Sequence, residues 1–217
     1  MAGGKRFKFA GSLIKFVLNY AKNSPSVSIT AMTKANPCLV TAASHGLATG
    51  EIVRINGVVG MTEANGGYYI VVFVSGTQFT LADTDSTNWT TYVSGGKLDE
   101  ANFSQFCELT NYNRAGGSSP EIDAESLCST AKEFEIGLPD YGTTSVDFSF
   151  APKTPMQVAL TAAYKAGTVV GSRITLPNSG GDMAQLGFVQ SMSEQAGKGG
   201  LWTGSLTMRN IGPRLDY

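Results

Sequence analysis

The chain has 217 residues, of which 42% are hydrophobic and only 15% charged, and its formal net charge is −1. This hydrophobic fraction excludes a disordered chain, and the length allows one large domain or two small ones. The near-zero net charge excludes a protein that binds nucleic acid tightly through a surplus of lysine and arginine. No stretch approaches the roughly 20 apolar residues of a membrane-spanning helix.

The first predicted elements are one strand and a small β-rich region. Residues 7–18 read FKFAGSLIKFVL and predict a strand, which the polar residues 19–25 end. From residue 27 to about 97, short β-branched and aromatic runs alternate with turns such as Asn56-Gly57. This pattern predicts a small all-β module without a helix, which we place at residues 26–97. The basic start of the chain lacks the features of a signal peptide, so we expect a protein made in a cytoplasm.

A second β region follows the module. Residues 103–110 predict a strand, and residues 111–142 predict a long irregular loop, which in a compact domain usually has a function. Residues 144–150 alternate strictly between apolar side chains and hydroxyl or acidic ones. The alternation predicts a strand with one buried face and one polar face that meets water.

Residues 155–166 predict a single helix. Thr154 is a candidate N-cap, Pro155 suits the first helical position, and Gln157 would complete a capping box. Gly167 is expected to end the helix. The apolar side of this helix should pack on a sheet.

Three more strands are predicted, at residues 170–176, 185–192 and 202–210, the last two joined by a glycine-rich hairpin turn at 197–200. In the second of them, Leu186, Phe188 and Met192 are predicted to share the apolar face. The last strand sets Thr203, Ser205 and Thr207 opposite its apolar residues. A sheet backed by one helix would bury the apolar faces and leave a hydroxyl-rich face in contact with water.

Side chains capable of chemistry do not form a recognisable catalytic pattern. His45 is the only histidine, and the three cysteines, Cys38, Cys107 and Cys128, lack metal-ligand spacing, so we expect packed, reduced thiols and no enzyme, metal or cofactor. Acidic residues cluster between 121 and 140, where they could act as acid and base, bind a cation or solvate a loop. The aromatic residues of the module could bind sugars or bases, but we favour core packing for them. These are Tyr68, Tyr69, Trp89 and Tyr92.

Several motifs in fixed order resemble the lambda-type phage tail tube proteins. The segment LCSTAKEFEIGLPDYGTTSVDFSF (127–150) is similar to their signature, with Ile136 where proline is common. It is followed by a short helix and by RITLPNSGG (173–181), LGFVQSMSE (186–194) and SLTMRNIGP (205–213). The resemblance covers about the last 120 residues and the first strand.

The module resembles a different family. Residues 29–72 are similar to the β-barrel module named for the first catalytic cysteine half-domain of ubiquitin-activating enzymes, through the turn at His45-Gly46-Leu47, the turn at 60–66 and the closing Gly95-Gly96. The resemblance does not imply that Cys38 is catalytic. The expected fold is mainly β: a tail-tube β-sandwich or barrel with one short helix (1–25 and 98–217), and an inserted small β-barrel module (26–97).

The tail-tube resemblance implies a structural virion protein. Such subunits form homo-hexameric rings that stack into a conduit for DNA around a tape measure protein, and they meet terminator and baseplate or tip proteins, and a sheath protein if the tail contracts. DNA would pass without tight binding, and no membrane is involved. The candidate lumen-facing residues are Ser145, Asp147, Ser149, Thr203, Ser205 and Thr207. The candidate inter-subunit loop residues are Glu125, Lys132, Glu133, Phe134, Leu138, Pro139 and Asp140.

Two alternatives stay open. The module could act as a virion surface binding module for the host or another tail protein, with Tyr68, Trp89 and Tyr92 as its platform. A baseplate or tail-completion ring protein could share the fold. We expect the module on the outside of a tube, because a bulky insert in the channel would block DNA.

Overall fold

The computed structural model describes residues 6–22, 26–125, 128 and 130–217, so the end of the predicted polar break, residues 23–25, lies outside it. Within the described residues the chain is mainly β, as predicted, with one α-helix (α1, Pro155–Ala166) and one 3₁₀ turn (Thr62–Ala64). The strands are β1 (Leu13–Asn19), β2 (Val27–Ser28), β3 (Ala31–Met32), β4 (Leu39–Thr41), β5 (Ile52–Val59), β6 (Tyr68–Ser75), β7 (Gln78–Leu81), β8 (Ser94–Glu100), β9 (Asn102–Gln105), β10 (Leu109–Arg114), β11 (Glu121–Asp123), β12 (Phe134–Ile136), β13 (Thr143–Ser149), β14 (Val169–Thr175), β15 (Asp182–Gln195), β16 (Thr203–Asn210) and β17 (Leu215–Asp216).

The strands form two large antiparallel sheets and one hairpin. The eight-stranded sheet has the order β10-β13-β16-β15-β14-β1-β9, and β17 pairs with β15. The seven-stranded sheet has the order β2-β8-β5-β6-β7-β4-β3 and uses strands of residues 27–100. Strands β11 and β12 pair only with each other among the described strands. The division into two domains stays a prediction, which this strand pairing supports.

The eight-stranded sheet curls so that its two end strands come close together without pairing. Strands β9 and β10 lie at opposite ends of the strand order, yet only residues 106–108 connect them. Phe106 in this connection is buried, and its ring contacts Phe16 of β1 at 5.9 Å and Phe148 of β13 at 5.1 Å between centroids. The inner faces of the two halves therefore enclose one apolar core, and their outer faces point in opposite directions.

Helix α1 contributes to the same core through Met156 and Leu160. Its bounds match the prediction, and Gly167 ends it with a left-handed φ of 62°. The predicted capping box is wrong, because no side chain caps the helix. Gln157 instead accepts a hydrogen bond from the amide of Ala151 and donates one to the carbonyl of Ser149, which ties the helix start to the end of β13.

From here on we take the module as residues 26–100, because β8 of its sheet ends at Glu100, three residues after the predicted boundary. The module has a separate apolar core. Tyr69, Trp89 and Tyr92 pack against this core, which confirms core packing for these three aromatic residues. His45 is buried, its Nδ1 accepts a hydrogen bond from the Leu47 amide, and its Nε2 donates to the Ser75 carbonyl. The histidine therefore has a structural role in the turn.

Several sequence-based element predictions are corrected. The first strand begins at Leu13 rather than at residue 7, because residues 9–11 form a turn. The predicted strand at 103–110 is two strands separated by a turn at 106–108. The loop 111–142 is not irregular, since it contains most of β10 and the hairpin of β11 and β12.

The predicted apolar face of β15 is also corrected. The register between β15 and β16 shifts between Val189 and Ser191. This bulge inserts one extra residue and reverses which side chains point inward. Met192 therefore packs on the inner core, whereas Leu186 and Phe188 lie on the outer face of the sheet.

The module docks on the outer face of the half of the sheet that contains β1 and β14. Ile52 and Ile70 of the module pack there against Val17 and Leu186. Gly171 permits the close approach, because a Cβ at this position would lie 2.1 Å from Cδ1 of Ile52. Since the sheet is curled, the docked module and the outer face of β13 and β16 lie on opposite sides of the molecule.

Candidate assembly surfaces

All six predicted lumen residues lie on one outer face of the sheet, which we call the hydroxyl face. Adjacent strands pair Ser145 with Thr207, Asp147 with Ser205, and Ser149 with Thr203. None of these side chains contributes to the inner core. The sheet therefore brings the six residues together, while their position in a lumen stays a prediction.

The hydroxyl face extends onto the neighbouring strands β10 and β15. Asn111 and Asn113 pair with Asp147 and Ser145 on one side. On the other side, the bulge in β15 adds three polar residues to the face, Ser191, Ser193 and Gln195. Sequence alternation alone missed these three, because a bulge reverses the face without a clear sequence signal.

Asp147, the only acidic residue of this face, is hydrogen-bonded to a neutral side chain. The side-chain amide of Asn111 donates to Oδ2 of Asp147 at 3.0 Å. Arg209, which follows on the same face, pairs instead with Asp140 at 2.8 Å. These pairs keep the face poor in free cationic charge, which limits its attraction for phosphate.

The predicted inter-subunit residues lie on a two-stranded ribbon formed by the described residues of 118–140, which we call the arm. Glu125, Lys132 and Glu133 lie between its two strands, Phe134 is in β12, and Leu138 and Pro139 follow β12. The base of the arm is fixed by mutual backbone hydrogen bonds between Ser118 and Asp140, at 3.0 and 2.9 Å. Apart from Gly137 and Asp140, the described residues of the arm are exposed. Isolated two-stranded ribbons are marginal in water, so the arm needs a further surface to pack against.

The clustered carboxylates of the arm lie on an exposed ribbon. No three His, Cys, Asp or Glu residues within the described ranges could hold a metal ion together. Cys107 and Cys128 are exposed, so the expectation of packed thiols is correct only for Cys38.

In the part of the chain that the structure describes, no helix is long and apolar enough to cross a membrane.

A charged cluster stabilises the junction between the first strand and the module. Nζ of Lys22 lies 2.8 Å from Oε1 of Glu51 and also contacts Glu100. Burial opposes the charge on Lys22, but its hydrogen bonds to Glu100 and Glu51 outweigh burial and raise its pKa. For Glu51 the bonds also outweigh burial and lower the pKa, whereas burial, together with the proximity of Glu51, raises the pKa of Glu100.

Replacing Lys22 by methionine is expected to destabilise the fold at pH 7 by roughly 1–2 kcal/mol, between the values for exposed and buried pairs. The change leaves two adjacent carboxylates without their cation, so their pKa values rise. Because protonation then relieves the repulsion, the loss should shrink as the pH falls from 7 towards the ordinary glutamate value of 4.5. Urea unfolding at pH 7 and pH 5 measures this. A loss that stays constant with pH would contradict the electrostatic role of Lys22.

Comparison with known protein families finds a match for the module. Residues 35–102 match the family model of the ubiquitin-activating enzyme E1 FCCH domain, which confirms the resemblance predicted for this region. A similar curated protein is ubiquitin-like modifier-activating enzyme 1 of Oryctolagus cuniculus, 38% identical over 78 residues. The match covers 35% of this chain and 7% of that enzyme, so the chain spans only a small part of its relative.

Comparison with solved structures finds phage-tail and related particles. The tail of an empty GTA particle with C6 symmetry has a TM-score of 0.43 and 16% identity, over 53% of this chain and 86% of that one. The SPP1 tail tube has a TM-score of 0.41 and 15% identity, over 53% and 67% of the two chains. The anti-feeding prophage baseplate has a TM-score of 0.39 and 10% identity, over 52% and 84%.

Proposed function

We propose that this chain is a structural subunit of a phage tail tube, which forms hexameric rings that stack into a conduit for DNA. The observation that carries the proposal is the hydroxyl face, a continuous polar surface over four strands with Asp147 as its only acid. The ordered sequence motifs from 127 to 213 provide independent support.

The composition of the hydroxyl face suits a channel for DNA. DNA binds proteins mainly through contacts of phosphates with lysine and arginine. The face carries hydroxyl and amide groups, and Arg209 beside it is neutralised by Asp140. A lumen of this kind lets DNA slide without being held.

The two ends of the eight-stranded sheet provide edges for ring formation. Among the described strands, β9 pairs only with β1, and β10 only with β13. Unpaired strand edges favour pairing with another chain, and a head-to-tail contact that closes by rotation gives a ring. In such a ring the sheets of neighbouring copies would join around the lumen.

The docked module fits on the outside of this ring. It covers the outer face at β1 and β14, on the side of the curled sheet opposite to the hydroxyl face. A module in that position leaves the channel open. Its aromatic residues do not favour a ligand-binding platform, since Trp89 and Tyr92 pack on the module core and Tyr68 packs against Tyr20 at the junction.

Negative-stain electron microscopy of the purified protein at high concentration tests the proposal. We expect hollow tubes or stacked six-fold rings. A variant lacking the module would serve as a second sample, and its tubes should have a smaller outer diameter and an unchanged channel. Compact monomers at every concentration, salt condition and incubation time would contradict the tube role.

A further inference from the structure

A groove lies beside helix α1, and no described segment of the chain fills it. It has a volume of about 370 Å³ and lies between the helix and the end of β15. Phe150, Val158 and Met192 supply apolar walls, and Lys165 and Glu194 line the groove as charged residues. Val158 is 52% exposed, although it belongs to a helix whose other side packs on the core.

The arm carries apolar side chains that need such a groove. Ile136 is 82% exposed and Leu138 is 88% exposed, and Phe134 shares the face of Ile136 because strand residues two apart point the same way. Apolar side chains grouped on an exposed ribbon mark a contact surface. The arm therefore has the chemistry of a ligand for an apolar groove.

The arm and the groove lie at opposite ends of the same strands. The arm joins the sheet at Tyr141, just before β13 begins at Thr143, whereas Phe150 of the groove follows the other end of β13. Seven residues of strand separate these ends by about 20 Å. An arm that leaves the sheet at one end and a groove at the other end define a head-to-tail contact, which propagates from copy to copy.

Charge is distributed in a way that favours the same contact. The arm has six acidic residues against one lysine, a net charge of −5. The module, residues 26–100, has a net charge of −3, from three cationic and six acidic residues. The remaining residues, which include the groove, have twelve cationic and five acidic residues, a net charge of +7. The near-zero total therefore hides an acidic arm that is attracted to the body of another copy.

From these observations we infer that the arm of one copy docks the side chains of Phe134, Ile136 and Leu138 into the α1 groove of the copy in the next ring. The inference rests on the proposed tube role and names the receptor for the arm. It makes stacking polar, since each copy gives an arm at one end and receives one at the other.

Disulfide crosslinking of the full chain tests the contact. In a Cys107→Ser, Cys128→Ser background, Leu138→Cys and Val158→Cys together should give a ladder of covalent dimers, trimers and longer species under mild oxidation. The matched control replaces Val158→Cys with Lys198→Cys, an exposed position in the hairpin turn at the same end of the sheet. Proximity should make the 138–158 crosslink roughly tenfold or more faster than the 138–198 crosslink.

The outcomes separate this inference from the tube role. Tubes in the microscope with no excess of the 138–158 crosslink over the control would overturn the groove as receptor and leave the tube role intact. A 138–158 ladder without any tubes would support the arm–groove contact and contradict the tube role. Failure of both tubes and crosslink would overturn both.

Discussion

Removal of the arm is expected to abolish polymerisation while leaving a folded monomer. The structure provides a clean site for the deletion, because the mutual backbone hydrogen bonds of Ser118 and Asp140 bring the two ends of the arm together. Replacing residues 119–139 by Asn-Gly would close this pair with the turn that two-residue hairpins prefer. Asp140 is retained, so its ion pair with Arg209 survives. Electron microscopy should then show no tubes.

Two controls test whether the deletion variant loses tubes only because it misfolds: its free energy of unfolding, and a variant that keeps the arm. Apart from Gly137, the described residues of the deleted segment 119–139 are exposed, so its removal should change the free energy of unfolding by less than about 0.5 kcal/mol, the range for surface changes. A second variant, Phe134→Ser with Ile136→Ser and Leu138→Ser, keeps the ribbon and its acids but removes the apolar face. It should also lose tubes. Normal tubes from either variant would show that the arm has no part in assembly.

The helix and the two faces of β13 could be predicted from sequence because their signals are local. Pro155 at the first turn and Gly167 in a left-handed conformation bound the helix. Strict alternation from Ser145 to Ser149 identified the hydroxyl face, since side chains two apart share a face.

Features that depend on contacts between distant residues could not be predicted. The turn at 106–108 contains the apolar Phe106, which sequence alternation assigns to a strand, but which is buried there by Phe16 and Phe148 from other parts of the chain. Gly171 looks like an ordinary strand glycine, and only the docked Ile52 explains it. The bulge in β15 reverses the face of Met192 without a residue type that marks it.

Net charge was the least informative quantity taken from the sequence. The total of −1 combines an arm of −5, a module of −3 and a charge of +7 on the remaining residues. Only the structure identifies the arm as a separate ribbon, and this gives its charge a meaning for assembly.

Adding lysines to the hydroxyl face is expected to convert a sliding surface into a DNA-binding one. The variant Ser145→Lys with Thr203→Lys places two cations on β13 and β16 that are not direct cross-strand partners, which avoids like-charge repulsion. Repeated around a ring and along a tube, these lysines would meet many phosphates. Binding through 6–10 phosphate contacts weakens by roughly 10³–10⁵ between 50 and 200 mM salt, so retention should be strong at the lower salt and lost at the higher.

Nuclease protection distinguishes a lumenal face from an outer one. Tubes assembled with a short DNA duplex at 50 mM salt should retain it in a protected form in the lysine variant, and wild-type tubes should not. The matched control, Asn88→Lys with Thr91→Lys, adds the same charge at exposed positions of the module. Its DNA should bind outside and be digested. DNA that the hydroxyl-face variant binds but leaves open to nuclease would show that this face lies on the outside of the assembly, and the lumen assignment would then fail even if tubes form.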